Sequence, residues 1–236
     1  MSSLRWLKPS EGPDALPSPA SALRDPNGLL AAGGSLQPQW LLTAYRHGIF
    51  PWYEEGQPIL WWCPDPRAVL ELEDFRTSRR LRRTLRRRLF TVTADRAFAD
   101  VIDACAAPRR YTEATWITPD MMAAYKRMHV LGWAHSFEAW QDGRLAGGVY
   151  GIAIGRVFFG ESMFARERDA SKIALAHAVA YLKERGYALI DCQIPSSHMA
   201  SLGASSLPRE RFLQLLKELC EPVGEPGPWT GGMGER

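Results

Sequence analysis

The stretch HSFEAWQDGRLAGGVYGIAIGRVFFGESMF, residues 135–164, decides the fold. It contains three runs of β-branched, aromatic and small residues: His135 to Gln141, Leu145 to Ile154 and Val157 to Phe164. Two-residue turns, Asp142-Gly143 and Gly155-Arg156, separate them. Turns this short, with residues that accept positive φ, join antiparallel neighbours, so the stretch is predicted to be a three-stranded meander.

Downstream, Ala170 to Arg185 has Leu175, Val179 and Leu182 on one helical face and Gly186 as its stop. Tyr187 to Gln193 is predicted as a short buried strand, and a last helix as running from about Pro208 to Leu219. The Gly/Pro-rich tail after Glu221 is expected to be mobile. Upstream, Ala68 to Leu72 is an apolar stretch, and Leu81, Leu85 and Leu89 form a helix stripe beneath a basic face. Phe90 to Thr93 alternates like a strand, and Phe98, Val101, Ile102 and Cys105 form another helix stripe. Thr118 and Pro119 are predicted as N-cap and first position of a helix that stops at Gly132.

The resulting order is strand, helix, helix, three antiparallel strands, helix, strand, helix. That is the order of an N-acetyltransferase-like (GNAT-like) α/β (α+β) domain with a mixed, mostly antiparallel sheet. It would occupy residues 66–236. Residues 1–65, rich in Pro, Gly and Trp and ending near Cys63-Pro64-Asp65-Pro66, are expected to form a small loop-rich N-terminal domain.

The chain has 236 residues, 46% hydrophobic and 23% charged, which excludes disorder and fibrous classes. No run approaches the length of a membrane span, and the charged, proline-containing start is unlike a signal peptide. A cytoplasmic protein without membrane association is expected. Cys63, Cys105, Cys192 and Cys220 are far apart, which points to buried thiols instead of a disulfide framework or zinc site. The net charge of +3 is uneven, because eight arginines fall between Arg76 and Arg88 with no acid among them. The remaining 21 basic residues face 26 acidic ones, a balance of −5.

Several familiar motifs fail. Gly160-Glu161-Ser162-Met163-Phe164 lacks the second glycine of a nucleophile elbow, so Ser162 is not a candidate nucleophile. Gly147, Gly148, Gly151 and Gly155 lie within strands and do not open a helix, which suggests bulges or close backbone approach instead of a dinucleotide loop. No P-loop is present, and His47, His129, His135, His177 and His198 show no metal-ligand spacing. No cofactor and no metal are expected.

Three features carry chemistry. Phe50-Pro51-Trp52-Tyr53 and Trp61-Trp62 concentrate flat rings of the kind that stack on nucleobases, at about 1 to 3 kcal/mol per base. The arginine segment suits a phosphate backbone. Glu161, Asp191 and Gln193 are polar residues in otherwise apolar strands, where a carboxylate is costly unless paired or functional. Asp191 and Gln193, two apart, are predicted to share one face of their strand.

Over about residues 20 to 215 the chain resembles the leucyl/phenylalanyl-tRNA-protein transferases. The matching words are Asp25-Pro26-Asn27-Gly28-Leu29-Leu30, Gly48-Ile49-Phe50-Pro51-Trp52-Tyr53, Pro58-Ile59-Leu60-Trp61-Trp62, Pro64-Asp65-Pro66-Arg67 and Thr115-Trp116-Ile117-Thr118. In the second half they are Gly148 to Gly151, Phe159-Gly160-Glu161-Ser162-Met163-Phe164, Ala170-Ser171-Lys172, Ile190-Asp191-Cys192-Gln193 and Ser201-Leu202-Gly203-Ala204.

The resemblance implies transfer of Leu or Phe, in some members Met, from aminoacyl-tRNA to proteins beginning with Arg or Lys, creating a signal for N-end rule degradation. It implies that Trp52, Trp116 and Tyr125 surround the terminal adenosine, and that Phe158, Met163 and Ile190 line the aminoacyl side-chain pocket. Val149 stands where some members have Met. Asp191 would polarise Gln193, which relays or orients the amine proton, and Glu161 would hold an ammonium group. Arg79, Arg82, Arg83, Arg86 and Arg87 would bind the tRNA acceptor stem. Competing readings are an acyl-CoA-dependent N-acyltransferase, a cell-wall peptide ligase using aminoacyl-tRNA, and a non-enzymatic RNA-binding module. Between Phe164 and Ala170, Ala-Arg-Glu-Arg-Asp replaces the glycine-rich turn that cradles an acyl-CoA pyrophosphate.

Overall fold

The computed structural model describes residues 4–108, 116–221 and 226–229. Thr115, in one of the words quoted above, lies outside these residues. The N-terminal part contains β1 (Arg5–Leu7), three single-turn 3₁₀ segments, β2 (Leu29–Gly33), α1 (Pro38–Arg46), β3 (Phe50–Pro51) and β4 (Leu60–Trp62). The strands form a four-stranded sheet in the order β1-β2-β4-β3. Proline at the first turn starts α1 without losing a hydrogen bond. The helix buries Trp40, Leu41, Ala44 and Tyr45, one face at 3.6-residue spacing.

The rest of the chain runs β5 (Arg67–Glu71), α2 (Arg79–Arg86), β6 (Thr91–Ala94), α3 (Phe98–Ala106), α4 (Pro119–Val130), β7 (Ala134–Gln141), β8 (Arg144–Ile154) and β9 (Val157–Ala165). It continues with α5 (Ala170–Glu184), β10 (Leu189–Gln193), α6 (Ser197–Ser201), β11 (Ser205–Leu207) and α7 (Arg209–Leu219). Seven strands make one sheet in the order β11-β5-β10-β9-β8-β7-β6. Only β9 and β10 pair in parallel; every other neighbouring pair in this sheet is antiparallel. The expected mixed, mostly antiparallel α/β architecture is therefore the one observed.

Local signals behave as their chemistry requires. The Thr118 hydroxyl accepts from the Met121 amide at 3.3 Å and caps α4, and Ser78 does the same for α2 through Leu81 at 3.1 Å. Asp142 and Gly143 both have positive φ, 51° and 71°, as a two-residue hairpin turn of matching twist demands. The helices α3 and α4 cover one face of the large sheet, and α5 covers the other. One apolar cluster runs from Trp40 and Tyr45 of α1 and Trp61 of the first sheet into Val101 of α3, Tyr125 of α4 and Phe159 of the second sheet. A separate cluster under α5 gathers Phe137, Val149, Phe158, Leu175 and Ile190.

Two expectations are corrected here. The arginine helix stops at Arg86, so Leu89 leaves the Leu81–Leu85 stripe and is 49% exposed. Part of the tail is not loose: Trp229 stacks on His135 with centroids 3.6 Å apart, and its amide donates to the Asp95 carboxylate at 2.8 Å. Its large ring buries enough apolar surface to fix a segment whose Gly/Pro composition suggested none. The strand β11 and helix α6 were not foreseen, being too short for a periodicity.

Candidate functional site: a two-chambered cleft between parallel strands

The strands β9 and β10 pair only from Val157–Phe159 to Leu189–Asp191. Beyond that point β9 continues to Ala165, while β10 breaks register between Asp191 and Gln193, where Gln193 takes φ +54°. The strands part and leave a cleft. Its larger chamber, about 260 Å³, is lined by Val149, Phe158, Met163, Leu175, Ile190, Met199 and His198 among others. A smaller chamber of about 180 Å³ is lined by Phe50, Pro51, Trp52 and Ile194. Trp116, Glu161, Cys192 and Gln193 line both.

The structure thus brings Val149, Phe158, Met163 and Ile190 together in one chamber, and Trp52 and Trp116 in the other. Trp52 is 39% exposed and held edge-on by Trp62, whose indole N–H donates to the Trp52 carbonyl at 2.6 Å. Tyr125 is different. It is fully buried and lines neither chamber directly. Its hydroxyl instead reaches the site from beneath, through Glu161.

Glu161 owes its direction to a bulge. Tyr150 pairs with Ser162 and Gly151 with Gly160, leaving Glu161 as the extra residue of β9. The Tyr45 hydroxyl donates to one carboxylate oxygen at 2.7 Å and that of Tyr125 to the other at 2.9 Å. The two hydroxyls are themselves 2.5 Å apart. With the carboxyl ionised, two hydroxyl protons serve three contacts; with Glu161 protonated, three protons close the ring. Burial pushes the Glu161 carboxyl up to about 7, the tyrosine hydrogen bonds pulling against it. The same burial, together with the Glu161 charge, pushes both tyrosines well above their ordinary range.

Asp191 is fully buried and bound bidentately by Arg67, Nε to Oδ1 at 2.8 Å and Nη2 to Oδ2 at 2.6 Å. The guanidinium lies between the Phe50 and Phe212 rings, 4.8 and 4.7 Å from their centroids. Asp191 Oδ1 also accepts the Gln193 backbone N–H at 3.0 Å. The two residues therefore do not simply share a strand face: the bulge intervenes, and the Asp191 carboxylate fixes the Gln193 backbone instead of its side chain. The Gln193 amide nitrogen is buried without a hydrogen-bond partner.

The arginines of α2 that were singled out, Arg79, Arg82, Arg83, Arg86 and Arg87, are all exposed. They lie on the helix and at its C-cap, not in the cleft. Arg80 ties this helix to the start of α5 through an ion pair with Asp169 at 3.0 Å. Sequence reasoning missed Arg67 and Tyr45. A charge opening the apolar run Arg67 to Leu72 was a usable signal for Arg67, whereas Tyr45 had none beyond its place in a helix stripe. Among the described residues no group of His, Cys, Asp or Glu could hold a metal ion, and no helix is long and apolar enough to cross a membrane.

The family model for the leucyl/phenylalanyl-tRNA protein transferase matches residues 69–217, and that for the family's N-terminal domain matches 34–65. The leucyl/phenylalanyl-tRNA–protein transferase of Methylococcus capsulatus is 56% identical over 232 residues, covering 98% of this chain and 99% of that protein. The protein of the same name from Aromatoleum aromaticum is 58% identical over 225 residues, covering 95% and 94%. Among solved structures, a GCN5-related N-acetyltransferase from Kribbella flavida aligns with a TM-score of 0.36 at 15% identity, covering 73% of this chain and 61% of that one. By sequence, the chain belongs to the leucyl/phenylalanyl-tRNA protein transferase family.

Proposed function

We propose that the protein transfers Leu or Phe from aminoacyl-tRNA, as well as Met if it shares the range of some family members, to the α-amino group of proteins beginning with Arg or Lys, marking them for N-end rule degradation in the cytoplasm. The observation that carries this reading is the two-chambered cleft, with Glu161 and Gln193 at the junction of an apolar and an aromatic chamber. Residues 1–65 serve as the unit that docks the terminal adenosine, through Trp52 with Trp116 from the main domain, and residues 66–236 as the catalytic unit. The side chain of the donor amino acid enters the chamber of Val149, Phe158, Met163 and Ile190. The arginines of α2 hold acceptor-stem phosphates without reading sequence.

An aminoacyl ester is already an activated acyl donor, so no covalent nucleophile is needed. Catalysis requires position and a neutral amine. The acceptor's α-amino group, with an ordinary pKa of about 7.7 to 8.0, lies within about a unit of Glu161, so the carboxylate can take up its proton at little cost. The amine nitrogen then attacks the ester carbonyl carbon, the new amide bond forms, and the tRNA ribose oxygen leaves with a proton. Asp191, occupied by Arg67, acts by holding the Gln193 backbone. The free amide of Gln193 orients the amine or the carbonyl.

The acyl-CoA alternative loses support at α5: its N-cap position is Asp169, in the left-handed region at φ +66°. A carboxylate there opposes a pyrophosphate. The deciding experiment offers labelled Leu-tRNA to a peptide beginning with Arg and to one beginning with Ala. Transfer to the Arg peptide alone supports the proposal; transfer to neither, with folded protein and charged tRNA, removes it. A purely RNA-binding module would keep every activity in a Glu161→Gln variant.

A further inference from the structure

The wall of the larger chamber does not end at its lining. Phe158 is fully buried and leans over Gly151, where a side chain would meet its ring at 2.7 Å. Gly151 pairs across β8 and β9 with Gly160, which itself lines the cleft. The ring thus tilts into space left free by glycine, toward the chamber. Trp229 packs against Phe158, its ring centroid 6.1 Å away and outside the chamber lining, and Phe137 bridges the two at 6.2 and 5.7 Å. Trp229 is held firmly for a residue so near the C-terminus. Beyond its stacking on His135 and its bond to Asp95, that carboxylate also receives His135 Nδ1 at 2.8 Å and the Ser136 amide at 3.0 Å. Burial of the Asp95 carboxylate is outweighed by these bonds, which hold it below its ordinary range and so in the accepting form.

We infer that Trp229 is a positioning residue for donor selection: by backing Phe158 it sets the depth of the chamber and hence the ranking of Phe against Leu. This rests on the reading of that chamber as the aminoacyl side-chain pocket. Trp229 lines neither chamber and acts through the Phe158 ring. Removing the indole opens space behind that ring, which then yields to a larger donor side chain. Close-packed interiors resist such yielding only while the backing is present.

The test uses the full chain, an Arg-starting peptide, and Leu-tRNA and Phe-tRNA in competition. Trp229→Ala is expected to raise the Phe-to-Leu ratio of kcat/KM by about three- to tenfold, a part of the discrimination one methylene supplies. Trp229→Phe, which keeps a ring against Phe158, restores the ratio to within about twofold of the parent. Should Trp229→Ala fail to fold, Trp229→Leu replaces it with the same expected direction. A lowered melting temperature with an unmoved ratio shows a merely structural role and overturns the inference. Ile190→Ala, inside the chamber, reads the underlying assignment separately. If it moves the ratio while the Trp229 variants do not, only the inference about Trp229 falls; if neither moves it, the pocket reading falls as well.

Discussion

At Glu161 the proton count sets the behaviour of the site. The folded carboxyl titrates near 7 against an ordinary value of 4.5, so between those values the folded protein binds a proton that the unfolded chain has lost. Stability from this group is therefore full below pH 4.5 and falls as pH rises to 7. A Glu161→Gln amide supplies the third proton of the ring at every pH. The variant is expected to match the parent in denaturant unfolding at pH 4 and to exceed it by about 3 kcal/mol at pH 8. Its transfer rate should fall by about a hundredfold or more, and the limb near pH 7 in the parent's kcat/KM profile should vanish. Asp191 and Gln193 separate structure from chemistry. Asp191→Ala leaves Arg67 buried and unpaired and should cost about 3 to 5 kcal/mol of stability along with activity. Gln193→Gly removes the amide at a backbone of positive φ that glycine prefers, so activity falls while the melting temperature holds or rises.

Elements show where reading a sequence succeeds. The stripe Phe98, Val101, Ile102 and Cys105 is buried in full along α3, and the Thr118–Pro119 start lies where capping chemistry put it. Periodicity and caps are properties of near neighbours, and the sequence displays them directly. Bulges are harder to read, because one extra residue in a strand leaves the composition of its run unchanged and only a glycine hints at it. The register shift opposite Glu161 falls at Gly151, one of the glycines expected to mark a bulge or close approach, whereas the break between Asp191 and Gln193 in β10 was absent from the expectations. For α2, charge reversal at Arg82, Arg83 and Arg86 together should raise KM for aminoacyl-tRNA by about tenfold or more at low salt, the difference shrinking as salt is added. The Leu-to-Phe preference should not move; steady-state kinetics with each tRNA checks both.

On the scale of the whole molecule, the N-terminal sheet is not an appendage, because Tyr45 from α1 completes the ring on Glu161 and Phe50 covers Arg67. One apolar cluster spans both sheets, so thermal unfolding is expected as a single transition whose calorimetric and van't Hoff enthalpies agree. A chain beginning at residue 66 should fail to unfold cooperatively, since Val69, Phe159 and Phe212 lose the faces they pack against. Two resolved transitions would contradict this. The sequence by itself determined the longer elements of the main domain, their order, the basic character of α2 and the apolar residues that meet in the larger chamber. Each of these follows from neighbours within a few positions or from a family word. Tertiary structure alone decided the pairing of Arg67 with Asp191, 124 positions apart, the contact of Tyr45 with Glu161, 116 apart, and the seating of Trp229 behind Phe158. Such contacts depend on sheet order, register and bulges, so the partner that neutralises a buried charge or backs a pocket wall appears only when the strands are in place.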